Sequence, residues 1–200
     1  LPRAPKPGRV RRERAPTKWE IHADLIDAFY ARALELARLP ELDEFHRYAE
    51  LRDSVGQPGT VFRRVLRQRG TDELERARRA RRSDLLVYLA LNVFERRKSF
   101  GHLPSSTRRD VRGIWGSYSA AQAEAQALLF SVGRPDVIAE ACREAADQGL
   151  GYLSGDHDLQ LHASLVAGLP PALRVYVGCA ARLYGEVESA DLVKIHIESG

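Results

Sequence analysis

Arg63, Arg64 and Arg67 share one face of any helix that carries them, because residues three and four apart are neighbours on a helix surface. Arg108, Arg109 and Arg112 repeat the spacing further along the chain. Planar guanidinium forks bind two oxygens at once, so they suit phosphate better than ammonium groups do. A row of them supplies affinity and position on a nucleic-acid backbone, but not sequence choice. The plainer alternative for each triplet is a solvated helix face balanced by local acids. For Arg76, Arg78, Arg79, Arg81 and Arg82 that alternative is the stronger one, since they circle their helix with Asp72, Glu73 and Glu75 nearby.

Catalytic chemistry finds little to stand on. The chain has no Gly-x-Gly-x-Gly run to approach a nucleotide-like cofactor, no Gly-Lys-Ser/Thr phosphate loop and no Gly-x-Ser-x-Gly elbow. An Asn/Asp-Pro-Pro-Tyr/Phe tetrapeptide is also missing. The nearest cluster is Asp156-His157-Asp158 with His162, which reads as a solvated turn and an edge-strand histidine rather than a metal site. His22, His46 and His102 are isolated, and Trp19 and Trp115 read as core anchors. Hence the sequence assigns no catalytic residue, no cofactor-binding residue and no metal ligand.

The elements that would carry the arginines are mostly helices. Thr17 is a cap for an apolar stripe from Trp19 to Leu36, which Leu39-Pro40 stops. Asp43 caps a helix carrying Phe45, Tyr48, Leu51 and Val55, and Gln57-Pro58-Gly59 makes a tight turn. Val61, Phe62, Val65 and Leu66 then face inward, opposite the first arginine triplet. Thr71-Asp72-Glu73 opens a long helix, Ser83-Asp84 caps a more apolar segment, and Arg96-Arg97-Lys98 closes it. A helix after Leu103-Pro104 carries the second triplet, and Gly116-Ser117 leads into an alanine-rich one. In both regions Leu-Pro leads to a helix, an apolar-Gly turn and a second helix, as in tandem helix–turn–helix units.

Beyond Pro135 the pattern gives a helix to Asp147, a strand near 158–162 and a helix from Leu169-Pro170-Pro171 with Val175, Cys179 and Leu183 facing in. Residues 190–197 read as a strand, and Ser199-Gly200 as half of a hairpin turn whose return strand lies outside the chain. The fold class is therefore mainly α plus a small C-terminal β element, α+β overall. Three regions follow: a flexible basic linker at 1–16, a helical DNA-engaging region at 17–148, and a small, truncated α+β segment at 149–200.

Composition narrows the setting. The 200 residues carry 31 Lys/Arg and 27 Asp/Glu, with 44% hydrophobic residues, two cysteines and no methionine. Charge is uneven: residues 1–139 hold 27 basic and 18 acidic side chains, whereas 140–200 hold 4 and 9. The first part suits an anionic partner such as DNA, and the acidic final third suits a protein. No run is long and apolar enough to predict a membrane span, and two cysteines fit a reducing cytoplasm rather than a disulfide framework. With no methionine even at position 1, the chain reads as a piece of a longer polypeptide.

Several blocks carry a family resemblance. They are Leu39-Pro40-Glu41-Leu42-Asp43-Glu44-Phe45, Phe62-Arg63-Arg64-Val65, Asp84-Leu85-Leu86-Val87-Tyr88-Leu89-Ala90-Leu91 and Arg109-Asp110-Val111-Arg112. Leu169-Pro170-Pro171-Ala172-Leu173-Arg174-Val175-Tyr176 and Ala190-Asp191-Leu192-Val193-Lys194-Ile195-His196 follow in order. Over residues 39–200 the chain resembles the C-terminal region of the DNA phosphorothioation-associated methyltransferase family, bacterial proteins found with DNA sulfur-modification systems. The resemblance implies that any S-adenosylmethionine site belongs to an upstream methyltransferase-like part, so no cofactor residue transfers to this chain. It also implies DNA and proteins of the sulfur-modification system as partners. The expected function is a non-catalytic, DNA-engaging region; the alternative is a helical scaffold that docks a protein of the same system.

Overall fold

The apolar stripe after Thr17 folds as two helices, not one. In the computed structural model, which describes residues 14–96, 100–155, 157–185 and 190–197, α1 spans Lys18–Ile21 and α2 spans Ala23–Leu36, with His22 between them. Residues 1–13 of the basic segment, Arg97-Lys98, Asp156 and Ser199-Gly200 lie outside the described residues. Thr17 is the cap expected: its hydroxyl accepts from the Glu20 amide, and the Glu20 carboxylate accepts from the Thr17 amide at 2.6 Å. This reciprocal box satisfies two amides that a helix start leaves without partners. The chain forms two compact units, Leu1–Arg78 and Arg79–Gly200, a division that falls inside the 17–148 stretch grouped by sequence.

In the first unit, α2 buries Leu25, Ile26, Phe29, Tyr30 and Ala33 along one face. Helix α3 spans Tyr48–Ser54, four residues later than an Asp43 cap would start it, and Arg47 occupies the cap position. The reason lies in Glu44. Its nearly buried carboxylate takes two bonds of 2.7 Å from Arg38 and one from the Glu41 amide, which holds the preceding segment in turns. Phe45 then packs edge-on against Phe29 rather than joining a helix. Helix α4 spans Pro58–Arg69, so Pro58 and Gly59 belong to the helix and not to a turn. Proline suits a first helical position because the amide it lacks would go unpaired there. Val61, Phe62 and Val65 of α4 and Leu74 of α5 (Asp72–Phe94) complete the core.

Helix α5 continues unbroken through Ser83-Asp84, contrary to the expected cap. In the second unit the Asp84 carboxylate instead accepts from Arg174 at 2.8 Å. Helices α6 (Ser105–Trp115), α7 (Tyr118–Ser131) and α8 (Pro135–Asp147) follow. Strands β1 (Tyr152–Ser154), β2 (Asp158–His162) and β3 (Leu192–His196) form an antiparallel sheet in the order β1-β2-β3. The sequence reading missed β1, and it left β3 without a neighbour, whereas β3 pairs with β2 over five residues. Gly151 permits the close approach of β1 to β2: a Cβ there would stand 2.9 Å from the Gln160 carbonyl. Leu159, Leu161 and Ile195 pack with Ile138, Cys142 and Ala145 of α8 and with Leu173 and Val177 of α9 (Pro171–Tyr184). Val175 of α9 is buried as expected and Cys179 half-buried, but Leu183 is exposed in the last turn, past both apolar clusters. The protein is thus mainly α with a small C-terminal sheet, and among the described residues no helix is long and apolar enough to cross a membrane.

Two ties fix α6 and α7 on α5. Arg81 donates through Nε and Nη2 to one oxygen of Asp110, at 3.0 and 2.6 Å, and that carboxylate is fully buried. Arg82 bonds both Glu124 oxygens at 2.7 Å, and the Trp115 indole N–H donates to the same carboxylate. These two arginines find their acids 29 and 42 residues away, not among Asp72, Glu73 and Glu75. Removing Arg81 takes two charged hydrogen bonds from a buried carboxylate. We expect Arg81→Ala to cost about 3 kcal/mol in urea unfolding, and the exposed Arg79→Ala to stay within about 0.5 kcal/mol of the parent.

Burial also silences the cysteines. Cys142 is fully buried and desolvation pushes its thiol up to about 11, while the half-buried Cys179 is raised by the same cause. The thiolate is the reactive form. Accordingly, a disulfide reagent at pH 8 should leave Cys142 unmodified in the native protein and modify it once denaturant is added, as mapped by mass spectrometry.

Candidate nucleic-acid interface

Helix α3, the short turn at 55–57 and helix α4 make a helix–turn–helix pair within the first unit. Gly56 sits in the turn at φ 143°, a backbone that side-chain-bearing residues rarely adopt. Since Val61, Phe62 and Val65 are committed to the core, Arg63, Arg64 and Arg67 project outward and all three are exposed. The Arg64 guanidinium lies 4.1 Å above the ring of Trp19, which is itself half-buried against the core. Arg63 curls back toward the start of its own helix, donating from Nε to the Gly59 carbonyl at 3.2 Å and from Nη2 to the Thr60 hydroxyl at 3.5 Å.

No acidic residue occurs between Asp53 and Asp72, and the three arginines make no ion pair among the described residues. Their neighbours differ. Arg32, Arg38, Arg47, Arg52, Arg69 and Arg78 of the same unit all face carboxylates. Even Arg69, on the same helix, turns to Asp27 of α2 and lies over the Tyr30 ring. The α4 face therefore keeps its full positive charge available to an outside anion.

The second triplet is built differently. Arg108 and Arg109 are half-buried and Arg112 is exposed, with its guanidinium 5.2 Å from the Phe100 ring. Arg109 reaches the Ser105 carbonyl and hydroxyl at 3.4 Å. Helix α6 is the first helix of its helix–turn–helix pair, whereas α4 is the second of its own. The second helix there, α7, has no arginine or lysine at all. The likeness between the two sequence segments thus does not put the triplets on equivalent helices. Sequence also gave no sign of the Trp19–Arg64 stack or the Arg81–Asp110 tie, because each joins residues far apart in the chain.

Two members of the acid–histidine cluster, Asp158 and His162, make structural bonds. Asp158 accepts from Gln160 at 2.9 Å and from Lys194 at 3.1 Å, and His162 Nδ1 accepts from the Ser164 amide, capping the short 3-10 helix Ala163–Gly168. Among the described residues no group of three or more His, Cys, Asp or Glu could hold a metal. The Gln160 hydrogen bond, then Lys194 and His196, hold the Asp158 carboxyl below the usual carboxylate range. Its contribution to stability is complete above the unfolded value of about 3.9 and is lost as the pH falls through the lower folded value. Acid titration of Asp158→Asn beside the parent should show a stability gap at pH 7 that closes below about pH 4. No family model, curated protein or solved structure matches the chain.

Proposed function

We propose that this chain engages duplex DNA through α4, as the non-catalytic C-terminal region of a DNA phosphorothioation-associated methyltransferase. The observation that carries the reading is the α4 face itself: three exposed guanidinium groups with no ion pair among the described residues, on the second helix of a helix–turn–helix pair. The second helix of such a pair is the one that lies in the major groove in known complexes of this motif. The order of the sequence blocks supports the family setting. Arg108, Arg109 and Arg112 act as an accessory phosphate contact, because Arg108 and Arg109 are half-buried and α6 is the first helix of its pair. Any cofactor, S-adenosylmethionine included, belongs to the upstream part that the family setting implies.

Salt dependence tests the reading. Each arginine that neutralises a phosphate contributes about −0.9 to the slope of log K against log salt. Replacing Arg63, Arg64 and Arg67 together with glutamine should flatten that slope by about 1 for each of them that neutralises a phosphate, and replacing Arg108, Arg109 and Arg112 by less. The measurement is fluorescence anisotropy on a duplex between 50 and 200 mM salt, on the order of the range over which such contacts change affinity most visibly. Equal slopes for parent and α4 variant would remove the assignment. No duplex binding at low salt would favour the alternative, a helical scaffold docking a protein of the sulfur-modification system.

A further inference from the structure

We infer that Arg63 is a base reader, selecting guanine in the major groove, whereas Arg67 holds phosphate and Arg64 positions the helix. The inference rests on the reading of α4 as the DNA-engaging helix and assigns distinct tasks to its three arginines. They are chemically alike but differently held. Arg64 is stacked on Trp19 at 4.1 Å, which anchors its guanidinium to the flank of the helix and spends its reach on the first unit's own core. Arg67 stands one turn after Arg63 toward the C-terminal end and has no hydrogen bond or ion pair among the described residues.

Arg63 alone is drawn back over the first turn of α4 by the Gly59 carbonyl and the Thr60 hydroxyl. Residues at the start of the second helix are the ones that face base edges when such a pair docks, while later turns pass the backbone. Only its Nε and one Nη2 bond are used, so the fork keeps donors to offer. A guanidinium fork placed there matches the two acceptors, O6 and N7, that guanine presents in the major groove, and no other base offers that pair. The Gly59–Thr60 contacts also pre-set the side chain, which lowers the ordering cost of a bidentate contact. Thr60 is exposed beside it and supplies a second short hydrogen-bonding group.

The test is binding-site selection from a pool of random duplexes with the full chain, run on the parent, Arg63→Ala and Arg67→Ala. The parent should enrich guanine at one fixed position, with about 5- to 150-fold discrimination against other bases there. Arg63→Ala should lose that preference while still retaining duplex. Arg67→Ala should keep the guanine and bind every sequence more weakly. Both side chains are exposed, and matching circular dichroism melts would show that the variants fold. Binding by the parent without base preference, or loss of the guanine in Arg67→Ala but not in Arg63→Ala, overturns the inference and leaves the DNA reading standing. Failure of the parent to retain any duplex at low salt overturns both.

Discussion

A guanidinium group that loses part of its water must find an acceptor, and in a chain with 31 basic side chains this constraint shapes both units. The most buried example is Asp110, whose carboxylate carries two bonds from Arg81 and so sets where α6 meets α5. Arg82, Glu124 and Trp115 repeat the logic one position along, joining α5, α6 and α7 through one carboxylate. Arg174 and Asp84 join α9 to α5, and Arg38 and Glu44 close the loop after α2. Each tie fastens elements that the apolar clusters alone would hold with less angular definition. Hydrophobic burial decides which faces meet, and the ion pairs decide their register.

Against that background the α4 face groups three exposed arginines without an ion pair among the described residues on one helix. The chain has enough acids to match its arginines, yet the sequence from Ser54 to Thr71 contains none. Six other arginines of the first unit, Arg32, Arg38, Arg47, Arg52, Arg69 and Arg78, each pair with a carboxylate instead. On α6 the balance differs, since the same helix that exposes Arg112 also buries Asp110 as a structural anchor.

Much of this was legible in the sequence wherever the signal was local. Apolar spacing gave α2, α4, α6, α8 and α9, and the alternation around Leu159 and Ile195 gave β2 and β3. The Thr17 box and the outward arginines of α4 follow from three- and four-residue spacings. What failed was non-local. Asp43 looked like a cap because nothing in the sequence says that Glu44 will be taken by Arg38. Ser83-Asp84 looked like a helix start because the partner of Asp84, Arg174, lies 90 residues on. Strand β1, three residues long, exists because β2 lies beside it and Gly151 lets it approach. The different settings of the three α4 arginines were unreadable for the same reason, since Trp19 sets Arg64 apart from Arg63 only in three dimensions.

That stack has an optical side. The chain has two tryptophans, and they sit in unlike surroundings. Trp115 has its indole N–H committed to Glu124 and lies beneath Arg82, inside the tie that holds α6 and α7. Trp19 carries the Arg64 guanidinium on its face at the border of the α4 surface. Anything that draws Arg64 away removes the cation from the face of that indole. The protein therefore contains one intrinsic fluorophore beside the α4 arginines and a second, differently bonded one in the other unit, with no label added.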